Sequence, residues 1–463
     1  MNTDHGLLAP AWAATGVGEL VDDNALLTAM LDTEVALAEA QAELGVLPER
    51  AAKAIRTAAV LANLDPVALA AGVRETANPV VAFVGQLTVA VRAADPEAAD
   101  YVHRGSTSQD ILDTALMLLC AAVFDRIAQD LLACAESLAG HAGRHRDTVM
   151  AGRTLTQHAV PVTFGLKAAT WLHLVLDALE RVRRVRVTLP VSVGGAAGTL
   201  AGYHEYAVAA GDPTGKTLRL PESMARRLGL AGASIPWHGV RTPIADIASA
   251  LLVTTGALGK LAADVLVLTR TEIGEVTEER APGRGASSAM PQKHNPVFAT
   301  LVATAARQLP PIAVVLFQSM VVDDERSSGG WHAEWQPLRD CLRIAAGAAV
   351  NAADLARTLT VSSEAMTANL RLTRGAIVSE RVNAVLAPLL GKAEAKRLLA
   401  EAAAESERTG AELADVLAVA LDEAGADCPD LPGLLDPAGY TGISGPLVDR
   451  ALVRFENVRE EFR

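Results

Sequence analysis

The sequence predicts an all-α protein built on long helices, and three observations carry that expectation. Half of the 463 residues are hydrophobic but only 3% are aromatic, with 7 Phe, 5 Trp and 4 Tyr, so the apolar mass is Ala, Leu and Val. That composition favours closely packed helices over β-sandwiches. Apolar residues recur at steps of three and four over long stretches, whereas convincing alternation is nearly absent. The best strand-like window, residues 184–195 (RVRVTLPVSVGG), opens inside a helical pattern.

Taken in order, Leu27, Met30, Leu31, Val35 and Ala38 mark a first helix, with Asp23 and Gly45 as its start and stop signals. A second helical stretch follows Pro48. Residues 65–105 are broken by Asp65-Pro66, Asn78-Pro79 and Asp95-Pro96. Long helices are then expected over 108–140, 161–189 (stopped by Pro190), 244–279, 296–320 and 336–358. At 1.5 Å per residue these are long enough for an extended bundle, about 30 Å or more each. The chain beyond 358 is shorter-stepped and punctuated by Gly and Pro. The expectation is three helical domains: an N-terminal domain at 1–107, a central long-helix bundle at 108–358 and a C-terminal cap at 359–463.

Net charge is −13, from 41 Lys+Arg against 54 Asp+Glu. This argues against nucleic-acid binding by overall charge, but a local cationic cluster can still take an anionic small substrate. Disorder is excluded by the apolar content. Cys120, Cys134, Cys341 and Cys428 are too scattered for a disulfide framework or a zinc motif, which fits reduced thiols in a cytoplasmic protein. The N-terminus lacks the pattern of a signal peptide. The apolar stretch Ile244 to Leu268 contains Asp246, Lys260 and Asp264, and reads as a buried helix, not a membrane span.

The most informative segment runs from Gly283 to Pro296 (GRGASSAMPQKHNP). Glycines let backbone approach a ligand closely, and two hydroxyls, a lysine and an asparagine follow ahead of the next helix. Such a segment suits a lid closing over an anion; an ordinary Gly/Ser/Pro loop is the alternative. A second segment, Thr107-Ser108-Gln109-Asp110, matches a capping box ahead of an apolar helix. A capped helix start also presents N–H groups and hydroxyls to a carboxylate. His141 and His145 are spaced as metal ligands can be, but no acidic third ligand accompanies them, so no metal site is expected. The glycine-rich stretch 194–202 lacks the spacing of a dinucleotide loop.

Ser287 to Asn295 has the form S-S-x-M-P-x-K-x-N, six fixed positions in nine, and resembles the signature of the fumarase/aspartase superfamily. Two further segments fall in the expected order. In that superfamily the Thr-Ser pair, here Thr107 and Ser108, holds a substrate carboxylate. The segment Gly152 to Ala159 (GRTLTQHA) departs from the superfamily's usual R-T-H-x-Q, with Leu155 at the histidine position and His158 three places later. In this it is similar to the bacterial 3-carboxy-cis,cis-muconate cycloisomerases. The W-H-A-E-W run at Trp331–Trp335 is similar to the same branch. Gly194 to Gly198, and Pro236-Trp237-His238 followed by Arg241, also align in order, though Thr242 stands where an Asp is usual.

The resemblance implies a cofactor-free cycloisomerase that lactonises 3-carboxy-cis,cis-muconate through an enolate-like carboxylate. The alternative is a carbon–nitrogen lyase releasing fumarate from a substituted succinate of nitrosuccinate or adenylosuccinate type. Leu155 and W-H-A-E-W disfavour the central lyases but discriminate poorly against a lyase that diverged from the cycloisomerase branch. Ser287 is the implied proton-transfer residue, with Ser288 as its rival and Lys293 as its cationic support. Lys293 and Asn295 would hold the carboxylate that becomes an enolate. Thr107, Ser108, Gln157, Arg241, Met290 and Arg326 complete the implied substrate site. His158 stands between a catalytic and a structural reading. The implied assembly is a homotetramer whose active sites combine Thr107/Ser108, Gln157/His158 and the Ser287 loop from different subunits, with a small polycarboxylate as partner and neither nucleic acid nor membrane.

Overall fold

The computed structural model describes residues 6–287, 289–427 and 430–462. Ser288, Cys428 and residues 1–5 therefore lie outside the described residues. The fold is all-α. Its five long helices are Ser108–Arg144, Phe164–Arg186, Thr242–Leu268, Val297–Gln318 and Gly330–Thr358. The described residues hold only two small antiparallel sheets, Val149–Thr154 with Gln157–Thr163 and Val276–Glu278 with Leu359–Val361.

The first start signal lies one residue earlier than expected: Asp22, not Asp23, caps the helix Asp23–Glu43 by accepting from the Ala25 N–H. At the expected break, Asp65 accepts from Val67 and Ala68 to open Pro66–Thr76. Three further expectations shift. The helix predicted over 161–189 occupies only Phe164–Arg186, because a hairpin precedes it. The one predicted over 244–279 ends at Leu268, and Gly274 turns the chain with φ +61° into the strand Val276–Glu278. The one predicted from 336 begins at Gly330 and carries Pro337 inside it. Residues 184–195 contribute no strand.

The chain divides into two compact units. The first comprises Met1–Leu131, Asp177–Gly259 and Leu301–Asn351. Its buried side chains include Phe83, Leu87, Ile111, Phe124 and Ile127, and the stripe Ile244, Ile247, Ala248 and Leu251 at helical spacing. Gly347 lets the last long helix pass against Ala11 and Trp12, where a Cβ would stand 2.3 Å from the Ala11 carbonyl oxygen. Asn351 then donates to that oxygen at 3.0 Å.

The second unit comprises Leu132–Leu176, Lys260–Thr300 and Ala352–Arg463. One apolar cluster joins Ala151 of the hairpin to Ile377, Val382, Leu386, Leu398 and Leu417 of the C-terminal helices. Two helices, Thr242–Leu268 and Val297–Gln318, are long and apolar enough to cross a membrane. Each buries an apolar stripe within the fold, Leu251, Leu258 and Val265 on one, Val302, Leu309 and Leu316 on the other. Cys120, Cys134 and Cys341 are buried free thiols, and burial pushes Cys134 and Cys341 up to about 12.

Candidate active site

The expected site residues fall into two groups, Thr107, Ser108, Arg241 and Arg326 in the first unit and Gln157, His158, Ser287, Met290, Lys293 and Asn295 in the second.

In the first unit, Thr107 precedes the helix Ser108–Arg144, and one arm of the expected capping box is present. The Asp110 carboxylate accepts from the Thr107 N–H at 3.2 Å. The Thr107 hydroxyl does not cap the helix; it accepts from Arg326 Nη2 at 3.0 Å. Its own proton is thereby left to point away from Arg326. Arg326 also donates through Nε to Gln109 Oε1 at 3.0 Å and through Nη2 to the Ala196 carbonyl at 3.2 Å. The backbone beside Arg326 is pinned by Asp323, which accepts from the Ser327 hydroxyl at 3.0 Å and the Ser328 N–H at 3.2 Å. Hydroxyls from Ser328 and Ser327 hold the Asp323 carboxyl down to about 2.

Asp110 does more than cap. Its buried carboxylate accepts from the Gly194 and Gly195 N–H groups at 2.7 and 3.0 Å and from the Tyr203 hydroxyl at 3.0 Å, and meets His238 Nε2 at 2.8 Å. Gly194 is required here, since a Cβ would lie 2.6 Å from the His238 ring. The TSQD segment is thus tied to the glycine-rich stretch and the P-W-H segment.

The sequence places Arg241 at the substrate; the structure places it between two buried carboxylates. Arg241 Nη1 donates to Asp113 Oδ2 at 2.7 Å, Nε to Glu334 Oε1 at 3.0 Å, and Nη2 to both acids. All three side chains are 1% exposed or less. Burial alone would depress the guanidinium, but Asp113 and Glu334 outweigh it and raise its pKa. Burial raises Glu334 against the pull of Arg241. Trp331 Nε1 donates to Asp113 Oδ1 at 2.9 Å, so Trp331 and Glu334 of W-H-A-E-W both do structural work.

In the second unit, Gln157 and His158 open the outgoing strand of the hairpin. His158 is paired in register with Arg153. Its Nδ1 is buried with no partner among the described residues, and burial, then Arg153, depresses its pKa. Gln157 is exposed and donates to Thr156 Oγ1 at 3.3 Å. The tip places Leu155 and Thr156 in left-handed backbone, φ 49° and 72°, with the Leu155 side chain 96% exposed. Arg153 itself is held by Glu275 at 2.9 and 2.7 Å.

The glycine-rich loop closes on itself. Ala286 bridges to His294, and the Asn295 N–H and side-chain amide both donate to the Gly285 carbonyl, at 3.0 and 3.2 Å. Gly285 has φ +70°, and a Cβ there would stand 2.6 Å from the Asn295 oxygen, so glycine is demanded. Ser287 Oγ accepts from the Met290 N–H at 3.2 Å and the Ala289 N–H at 3.4 Å. Donation into that oxygen stabilises negative charge on it. Met290 and Lys293 are exposed. His294 Nε2 meets the Glu278 carbonyl at 3.0 Å, and the Glu278 carboxylate caps Val297–Gln318 at Phe298 and Ala299. The short segment Glu275–Glu278 therefore anchors both the hairpin and the loop.

Sequence reasoning gave no site role to Gln109, Asp113, Glu275, Glu278 or Glu334. The only local signal was the spacing of Gln109, Asp110 and Asp113, which puts polar groups on one face of an otherwise apolar helix. No group of three or more His, Cys, Asp or Glu able to hold a metal ion occurs among the described residues.

A long-helix chain with Ser287 held by two N–H groups, and Lys293 and Asn295 on the same loop, is the arrangement that the superfamily resemblance implies for an all-α lyase-type enzyme. A family model described as Lyase matches residues 18–310. Nitrosuccinate lyase of Streptomyces davaonensis is 56% identical over 450 residues, covering 97% of this chain and 94% of that protein. 3-Carboxy-cis,cis-muconate cycloisomerase of Bradyrhizobium diazoefficiens is 39% identical over 452 residues, covering 97% and 98%. The crystal structure of the 3-carboxy-cis,cis-muconate lactonizing enzyme from Pseudomonas putida superposes with a TM-score of 0.88 at 35% identity, over 98% of this chain and 99% of that one. The chain belongs to this lyase family, within the fumarase/aspartase superfamily.

Proposed function

We propose that the protein eliminates nitrite from nitrosuccinate, releasing fumarate. The observation that carries this reading is the gap between 56% identity to a nitrosuccinate lyase and 39% to a cycloisomerase over the same span of chain. It makes the carbon–nitrogen lyase the first choice and the lactonising reaction the second. The second keeps support from Leu155 and the W-H-A-E-W run, which resemble the cycloisomerase branch.

Ser287, as its alkoxide, takes a proton from the CH₂ carbon next to one carboxylate. The electron pair moves into that carboxylate, which Lys293 and Asn295 hold as it gains charge, then forms the C=C bond as the C–N bond breaks. Nitrosuccinate dianion gives fumarate dianion, nitrite and the proton now on Ser287. Two N–H groups on Ser287 Oγ support this role by easing loss of its own proton. Thr107, Ser108, Gln157 and Arg326 bind the remaining oxygens, and Met290 lies against the substrate carbon chain. The neutral His158 accepts the proton for return to solvent. Nitrite is a weakly basic leaving group and departs without a proton donor, which accommodates Leu155 where other members of the superfamily carry histidine. Arg241 supports the site through Asp113 and not by touching substrate.

The active assembly is a homotetramer combining these groups from different subunits. Its support is the apolar side chains left open at the end of the long helix Val297–Gln318, with Val314 at 49% and Val321 just beyond it at 88% exposure. The deciding test is an ultraviolet assay with nitrosuccinate, 3-carboxy-cis,cis-muconate and adenylosuccinate in parallel. Fumarate and nitrite in equal amounts, with no lactone, is the expected result. Lactone formation without turnover of nitrosuccinate overturns the reading in favour of the cycloisomerase.

A further inference from the structure

We propose that Gln109 is a positioning residue for substrate binding: its side-chain amide fixes the Arg326 guanidinium that takes a substrate carboxylate. The inference rests on reading Arg326 as an anion partner, and deepens it by naming what aims that side chain.

Gln109 is fully buried in the first unit. Its Nε2 donates to Asp113 Oδ2 at 3.2 Å and to the His238 carbonyl at 3.2 Å. Its Oε1 accepts from Arg326 Nε at 3.0 Å. These partners allow one orientation of the amide. Turned over, its oxygen would face a carboxylate and a carbonyl, and its NH₂ would face a guanidinium, leaving buried groups unpaired on both sides. Asp113 is itself fixed by Arg241 at 2.7 Å and Trp331 at 2.9 Å, and Arg241 by Glu334 at 3.0 Å. A continuous chain of bonds therefore runs Glu334–Arg241–Asp113–Gln109–Arg326–Thr107.

The outer end of that chain is chemically specific. Arg326 spends Nε on Gln109 and Nη2 on Thr107 and Ala196, while Nη1 carries no bond to any of the described residues. The free Nη1 edge and the outward-pointing Thr107 proton give two donors for one carboxylate. Without Gln109, Arg326 keeps its charge but loses the bond that sets the plane of its guanidinium. Binding suffers while the proton-transfer groups on the Ser287 loop are untouched. Arg241, Asp113 and Glu334 thereby have a purpose beyond packing, because they hold the polarity of an amide that is not itself charged.

The test measures the dissociation constant of fumarate by calorimetry, with kcat and KM where a substrate is turned over. It compares the wild type, Gln109→Met, Arg326→Met and the double variant, all checked for folding by circular dichroism. Gln109→Met is expected to weaken fumarate binding about tenfold, and to raise KM by a similar factor with little change in kcat. In the Arg326→Met background it adds nothing, because both changes remove the same interaction. An equal loss in both backgrounds overturns the proposal, as does a wild type that binds no dicarboxylate. Should Gln109→Met not fold, Gln109→Glu serves in the same cycle: it keeps the shape but sets an oxygen against Asp113 and the His238 carbonyl. Fumarate binding needs no turnover, so a wild type that binds fumarate yet leaves nitrosuccinate intact defeats the proposed reaction alone.

Discussion

Arg153 and Glu275 are joined by two parallel hydrogen bonds, 2.9 and 2.7 Å long, and the Glu275 side chain has no exposed surface. Arg153 faces His158 across the hairpin, so this pair fixes the rung that carries the Gln157–His158 segment. Asn369 adds a third donor to Glu275 at 2.8 Å. Glu275→Gln leaves Arg153 charged and largely buried without its bidentate partner. The variant is expected to lose about 2–3 kcal/mol of stability, the low end for a buried pair because Arg153 keeps some solvent contact. Turnover should fall with it, as the hairpin loosens. A denaturation midpoint equal to that of the wild type would show that the ion pair does not hold the rung.

Ser287 accepts from two backbone N–H groups, is not deeply buried, and pairs with no base among the described residues of its own loop. If it is the proton-transfer residue, Ser287→Ala lowers kcat by about 10²–10⁴-fold, the range for a general base, and leaves fumarate affinity unchanged. Calorimetry beside steady-state kinetics separates the two quantities. Full activity in this variant would move the role elsewhere on the loop.

The loop was legible because its chemistry is contiguous: Ser287, Lys293 and Asn295 lie within nine residues, and Gly285 signals a turn that only glycine fits. The long helices were legible from periodicity alone. The hairpin was not. Its register shifts between Ala151 and Arg153, at Gly152, so side chains do not alternate. Its tip uses Leu155 and Thr156 in left-handed backbone where Asn or Gly would have announced a turn. The Arg241 network was illegible for a different reason. Its partners stand 93 and 128 residues away, and an isolated arginine carries no local mark of being paired with Glu334 and Asp113.

That network separates two roles for Arg241. A substrate-facing arginine, when removed, gives a folded enzyme with raised KM. An arginine enclosed by Asp113 and Glu334, when removed, leaves two buried carboxylates uncompensated. Arg241→Met is therefore expected to cost about 3–5 kcal/mol of stability. Thermal unfolding followed by circular dichroism reads this directly. A variant with unchanged Tm and only a raised KM would return Arg241 to the substrate.

His141 sets a pH dependence within the second unit. Its Nε2 meets the Ala356 carbonyl at 3.0 Å, and its Nδ1 faces Arg144 Nη2 at 3.3 Å, so the neutral ring donates at one end and accepts at the other. Burial depresses its pKa, and the charges of Arg144 and His145 act in the same direction against the Ala356 bond. The unfolded chain, with a histidine pKa of about 6.5, then binds this proton more readily than the folded one. The stabilising contribution is complete above about pH 6.5 and is lost as pH falls toward the depressed folded value. His103, raised by Glu34 against its burial, acts with the opposite sign, but equally in any His141 variant. His141→Gln can keep a donor to Ala356 and an acceptor for Arg144 while removing the titration. Its Tm is therefore expected to fall less than that of the wild type between about pH 7 and pH 5. Parallel Tm curves for the two proteins across that interval would mean that His141 does not contribute to the acid sensitivity of the fold.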